Sequence, residues 1–225
     1  MSYFILNFFN ENGCGNMIKT VICDFDGTIV DSAQLVYNLF NSFSDKYNYK
    51  KMPQEKIDYI RSITFRQRFK EYNVSFFKVP SLVMDVVREY KKSVPYLQVN
   101  NDMKEVLREL RNQGIKLVLI SANSRENIEK FLKLNDMEYF DEIIRSKRFF
   151  GRNLTINSYI KSHNLKRNET ILIGDEHRDI VASKKSNIKV ISVTWGYDLE
   201  ELLITGRPDY LVKRPNEILD VIEKW

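Results

Sequence analysis

Two cysteines in 225 residues, Cys14 and Cys23, are too few for a disulfide framework or a cysteine-built metal site. A reducing, cytoplasmic setting suits such a chain best. No apolar run approaches the ~20 residues that cross a bilayer, so a membrane is not expected as a partner. Residues 1–16 lack the basic start and the small-residue cleavage site of a secretory signal. They are expected to form a mobile extension ahead of Met17. Basic blocks are missing too. The net charge is +5 and the pI about 9.0, but the positive residues are interleaved with acids, so nucleic acid is not expected as a partner and an anionic small substrate is. Finally, residues 33–95 contain no glycine, which favours helices over a string of tight turns.

What is present is 43% hydrophobic and 29% charged, in a chain long enough for one or two domains with a sizeable core. Three apolar runs end abruptly in polar residues. Val21-Ile22-Cys23 breaks into Asp24-Phe25-Asp26-Gly27-Thr28, with Cys23 expected in the core. The run "IKLVLI" breaks into Ser121-Ala122-Asn123. Ile171-Leu172-Ile173 breaks into Gly174-Asp175-Glu176, with Asp179 beyond. Such runs read as buried parallel strands, and open α/β sheets bind ligands at the carboxyl ends of their strands. Asp24 and Asp26 are two residues apart, so their side chains could share one face of an extended strand end. Two carboxylates held there repel unless a cation joins them, and hard oxygen ligands favour Mg²⁺.

Between the first two runs, apolar residues recur at helical spacing: Leu35, Leu39 and Phe43; Ile57, Ile60 and Ile63; Leu82, Val83, Val86, Val87 and Tyr90. Pro53 and Pro80 fall near helix starts. This predicts an all-helical insert of about four helices with its own small core, to which Phe76 and Phe77 are assigned. Arg61, Arg66, Arg68 and Lys70 read as a solvated helix face, with a substrate-facing segment as the alternative. Further on, Asn101 is expected to cap a helix closed by Gly114, and Ser124 to cap the next. Residues 141–146 and "DYLV" read as short strands, and "NEILDVIEKW" as a closing amphipathic helix. His163 is expected on a helix surface.

The string "DFDGTIVDS", the serine at the second strand end and "GDExxD" at the third resemble, in that order, signatures of the haloacid dehalogenase superfamily. The resemblance covers nearly all of residues 17–225, and a helical cap lies in that family where the insert lies here. It implies a Rossmann-like, doubly wound parallel α/β sheet at 17–31 and 97–225, with a cap domain at 32–96. It further implies a Mg²⁺-dependent phosphohydrolase. Asp24 would be the nucleophile that takes the phosphoryl group, and Asp26 the general acid and then base. Ser121 would donate to the phosphoryl oxygens. Mg²⁺ would be held by Asp24, the Asp26 carbonyl, Asp175 and, through water or by fixing the loop, Asp179. Glu176 could assist, and His177, at a position the family does not use, is incidental. Phe25, Gly27, Thr28, Ala122 and Asn123 would surround the phosphate.

The family's lysine near the phosphate is replaced. Arg152 stands in its "FG(K)" place, with Lys147 as the alternative, and an arginine is not interchangeable with an ammonium. The second acid of "DFD" argues against dehalogenation, because a halide leaving group needs no proton. The expected substrate is a small phosphorylated metabolite, phosphoglycolate-like or a sugar phosphate, in a monomer or homodimer. The alternatives are a phosphomutase of the same fold, a non-catalytic phosphate-binding relative, and a nucleic-acid end phosphatase.

Overall fold

A computed structural model of the chain describes residues 17–146 and 151–225. The expected extension at 1–16, with Cys14, and Lys147 lie outside these. Six parallel strands form one sheet: β1 (Thr20–Cys23), β4 (Lys116–Ser121), β5 (Glu142–Arg145), β6 (Thr170–Gly174), β7 (Lys189–Val193) and β8 (Tyr210–Val212), in the spatial order β5-β4-β1-β6-β7-β8. In register, Cys23 lies beside Leu119 on one side and Ile173 on the other. The chain runs outward from β1 to β4 and β5, then returns to β1's other side with β6. That reversal opens a crevice at the carboxyl ends of the strands.

The strands are buried on both faces and alternate between two cores. Val21, Cys23, Leu117, Leu119, Ile171 and Ile173 face one core. It is covered by α6 (Met103–Asn112), α7 (Arg125–Leu134) and α11 (Glu217–Glu223). Ile22, Val118, Ile120 and Leu172 face the other, covered by α8 (Arg152–Ser162), α9 (His177–Lys185) and α10 (Glu200–Thr205). The architecture is thus α/β, a parallel sheet with helices on both faces. Burial pushes the Cys23 thiol far up, with Asp24 adding to the effect, so it is an unreactive core group.

The helical insert leaves and re-enters through a two-stranded antiparallel ribbon, β2 (Val30–Asp31) and β3 (Gln98–Val99). Between them run α1 (Ala33–Ser42), α2 (Ser44–Tyr47), α3 (Ile57–Arg61), α4 (Phe65–Glu71) and α5 (Val79–Ser93). Tyr47, Tyr49, Met52, Ile60, Tyr72, Val74 and Leu82 form its separate small core. Two expectations fail here. Phe76 and Phe77 are not in that core: they sit in a 3-10 turn ahead of α5 and are 79% and 90% exposed, because tyrosines already fill the interior. Asn101 does not cap α6. Asp102, at φ 60, precedes the helix without a side-chain cap bond, and the first helical N–H, of Met103, donates to the Asn100 carbonyl instead. Gly114 closes α6 at φ +78, and Ser124 accepts from the Asn127 N–H at 3.4 Å, both as expected.

Candidate active site

The carboxyl ends of β1, β4 and β6 bring the three polar strand ends together. Asp24, Asp175 and Asp179 are buried, and one carboxylate oxygen from each lies within 4.8 Å of the others. Each is held by this chain. Asp24 Oδ1 accepts the Phe25 N–H at 2.8 Å, and Arg152 Nη1 lies 2.7 Å from Asp24 Oδ2. Arg152 also pairs with Asp179, whose other oxygen accepts the Glu176 N–H at 3.1 Å as half of a capping box on α9. Asp175 accepts from the Thr28 hydroxyl and the Tyr197 N–H, both at 2.7 Å. Thr28, expected at the phosphate, therefore orients an acid.

With all three acids ionised, three carboxylates against one guanidinium leave two negative charges in a buried site. Burial, with Glu176 and Asp24 nearby, pushes the Asp175 carboxyl well up. Burial likewise raises Asp179 to about 7 despite Arg152 beside it. Burial alone would lower Arg152, but Asp179 and Asp24 hold it above its ordinary range. A cluster of hard oxygen donors with this deficit fits a divalent cation such as Mg²⁺.

Gly27 is required by this packing. Its φ is +82, a region that disfavours side chains, and a Cβ there would strike the Asp175 carboxylate.

Asp26 is directed elsewhere. Its carboxylate accepts from the Tyr90 hydroxyl, at the far end of α5, and from Ser121 Oγ at 3.2 Å. The expectation that the two acids of "DFD" share one face therefore fails for their side chains: the strand has already turned at Phe25, whose carbonyl accepts from the Ile29 and Val30 N–H groups. Burial pushes Asp26 up to about 6, opposed first by the Tyr90 hydrogen bond. Ser121 Oγ also accepts the Asn123 N–H at 3.0 Å. The Asn123 side chain accepts from the Ser124 N–H, and its buried Nδ2 has no partner in a residue that lines the cleft beside Ala122.

The roof of that cleft is the helical insert. Val36 and Phe40 come from α1, Phe65 and Phe69 from α4, and Leu82, Val83, Val86 and Val87 from α5. Several groups here were missed in the sequence. Tyr90 was counted only as part of an apolar stripe, although an aromatic hydroxyl ending such a stripe was a usable signal. Arg68, read as solvated, donates to the Ile60 and Ile63 carbonyls at 2.9 and 3.1 Å and pairs with Asp198, which also accepts the His177 N–H at 2.6 Å. Arg61 donates to the Gly196 carbonyl at 2.8 Å, whereas Arg66 and Lys70 are exposed as expected. Arg178 pairs with Glu176.

With this geometry established, the comparisons with known proteins are specific. Residues 21–193 match the family model of haloacid dehalogenase-like hydrolases, and the chain belongs to that family. It is 24% identical over 206 residues to a phosphoglycolate phosphatase of Synechococcus elongatus, covering 91% of this chain and 97% of the relative. It is 22% identical over 231 residues to the pyrophosphatase PpaX of Bacillus mycoides, covering 92% and 98%. Among solved structures, a haloacid dehalogenase-like hydrolase from Streptococcus pneumoniae superposes with a TM-score of 0.75 at 22% identity, over 91% of this chain and 98% of that one. A protein described as a predicted phosphatase from Clostridium acetobutylicum gives 0.78 at 23%, over 93% and 100%. The chain is thus an enzyme of a hydrolase family. Among the described residues, no helix is long and apolar enough to cross a membrane.

Proposed function

We propose that the protein is a Mg²⁺-dependent phosphatase of small phosphate monoesters that works through an aspartyl-phosphate on Asp24. One observation carries this reading. Two neighbouring carboxylates occupy different environments: Asp24 is buried and ion-paired to Arg152, while Asp26 is half-buried in the cleft against Tyr90 and Ser121 and pushed up to about 6. Environments that separate paired acids also separate their roles.

An Asp24 oxygen attacks phosphorus in line as the bond from phosphorus to the ester oxygen breaks. Asp26 gives its proton to that oxygen, which leaves as an alcohol. Water then attacks phosphorus, Asp26 takes its proton, and the bond from phosphorus to Asp24 breaks to release inorganic phosphate. Ser121, the unpartnered Asn123 amide and the Phe25, Gly27 and Ala122 segments surround the phosphoryl group. Arg152, a largely buried permanent cation, holds Asp24 in place. Asp24, Asp175, Asp179 and the Asp26 carbonyl would hold the metal, which when bound would supply charge neutralisation to the reaction. The helical segment 32–96 acts as a cap that excludes water from the cleft.

The test is release of inorganic phosphate from a panel of monoesters. Turnover that requires Mg²⁺ and disappears with chelator and in Asp24→Asn supports the reading. Folded, Mg²⁺-loaded protein that turns over no ester overturns it.

A further inference from the structure

We propose that the phosphoester this protein takes carries an uncharged, apolar organic group, seated under the cap against Val36, Phe40, Val86 and Val87. The inference rests on the proposed phosphatase reading and narrows its substrate class.

The cleft runs from Asp26, Ala122 and Asn123 on the sheet side to the cap helices. A substrate whose phosphoryl group lies at Asp24 and whose ester oxygen lies at Asp26 must extend its remaining atoms towards α1 and α5. There it meets branched aliphatic and aromatic side chains. A second hollow continues from Val36 and Phe40 past Phe65 and Phe69 towards Trp195; of its charged lining residues, Asp31 and Arg61 lie outside the cleft that faces Asp26, and Arg68 lines both.

The compounds in the relatives' names, phosphoglycolate and pyrophosphate, bear a second anionic group beyond the phosphoryl being cleaved. Such a group needs a cation or several donors when it leaves water. Among the described residues lining the cleft, the cations are Arg68 and Arg178, and each already has an acid. Arg68 is tied to Asp198 and to two backbone carbonyls. Arg178 is tied to Glu176, with Nε 2.5 Å from its carboxylate. Each pair is neutral, so recruiting either arginine would strand a buried carboxylate. A sugar's hydroxyls fare no better against Val86 and Val87. An apolar group instead gains from the same surfaces, about fourfold in affinity per buried methylene.

The test uses calorimetric binding of non-hydrolysable phosphonates to the Mg²⁺-loaded full chain, which reads the cleft independently of turnover. Across n-alkylphosphonates from methyl to pentyl, Kd should tighten by about threefold to fourfold per methylene. Butylphosphonate should bind at least tenfold more tightly than 3-phosphonopropionate, which mimics phosphoglycolate in shape and charge. Val87→Arg should reverse that order by supplying an unpaired cation. An affinity flat with chain length, or 3-phosphonopropionate as the tighter wild-type ligand, overturns the inference whether or not the variant folds. Loss of ester turnover with the chain-length trend intact would instead count against the phosphatase reading alone.

Discussion

The floor and the roof of the cleft are built on opposite principles. On the floor, at the strand ends, nearly every functional side chain is charged, buried or half-buried, and fixed by at least one partner: Asp24 by Arg152, Asp175 by Thr28 and Tyr197, Asp26 by Tyr90 and Ser121. On the roof, α1 and α5 present aliphatic and aromatic surfaces with few polar groups. Directional contacts fix atoms to fractions of an ångström, as bond-making requires, whereas apolar contact selects by shape and hydration and tolerates drift. The floor therefore sets the reaction and the roof sets the substrate. Tyr90, an α5 side chain whose hydroxyl reaches Asp26, joins the two at the proposed proton donor, as Arg68 with Asp198 and Arg61 with the Gly196 carbonyl join them further out.

The sharpest way to break this division is to remove the floor's proton donor. Asp26→Asn should slow phosphoryl transfer to Asp24 from an alkyl phosphate by roughly 10³-fold, and much less from p-nitrophenyl phosphate, whose leaving group needs no proton, while hydrolysis of the intermediate slows alike for both. Equal losses in that first step, measured by rapid quench of a single turnover, would contradict the proton-donor role of Asp26.

A roof substitution should act on stability first. Leu82, buried in the cap core, costs about 2–5 kcal/mol as Leu82→Ala in chemical denaturation. Mg²⁺ affinity should stay unchanged, because the donors all lie on the floor.

The floor's buried acids also predict the pH response of the metal-free protein. Asp26 at about 6, Asp179 at about 7 and the raised Asp175 all sit above the ordinary carboxylate range near 4. The folded state thus binds more protons than the unfolded one between these values. This stabilisation is full below pH 4 and is lost as pH rises through 6 to 7. With chelator present, Tm should fall by roughly 5 °C from pH 5 to pH 7.5, and saturating Mg²⁺ should reverse the fall. A chelated Tm that rises over this range contradicts the assignment.

A smaller effect is expected from Arg152→Lys. The charge survives, but a single guanidinium nitrogen, Nη1, meets both Asp24 and Asp179, and the shorter lysine cannot set its ammonium at the same point, so stability should drop by about 1–2 kcal/mol. Smallest of all, Phe77→Ala should change stability by less than about 0.5 kcal/mol, since that ring is almost fully exposed.

The floor was largely legible in the sequence because each of its parts sits at the end of an apolar run, where local pattern and tertiary position coincide. Asp24, Ser121 and Asp175 were found that way. The roof was legible only as helical periodicity. Which residues of a helix meet the other half of the cleft depends on how the helix docks, which no local pattern records. Hence Tyr90 and Arg68 were misread as an apolar stripe and a solvated face, and Phe76 and Phe77 were placed in a core that tyrosines fill. Asp26 was identified, but its side-chain direction was not, because the turn at Phe25 depends on backbone hydrogen bonds invisible in the residue types.

The most direct test of the central role given to Asp24 is acid quenching of a single turnover with a ³²P-labelled phosphate monoester and Mg²⁺. The account predicts base-labile label on the wild-type chain, approaching one phosphoryl group per protein within the first turnover, and none on Asp24→Asn. Full phosphate release by Asp24→Asn, or rapid turnover with no protein-bound label at any quench time, would contradict it.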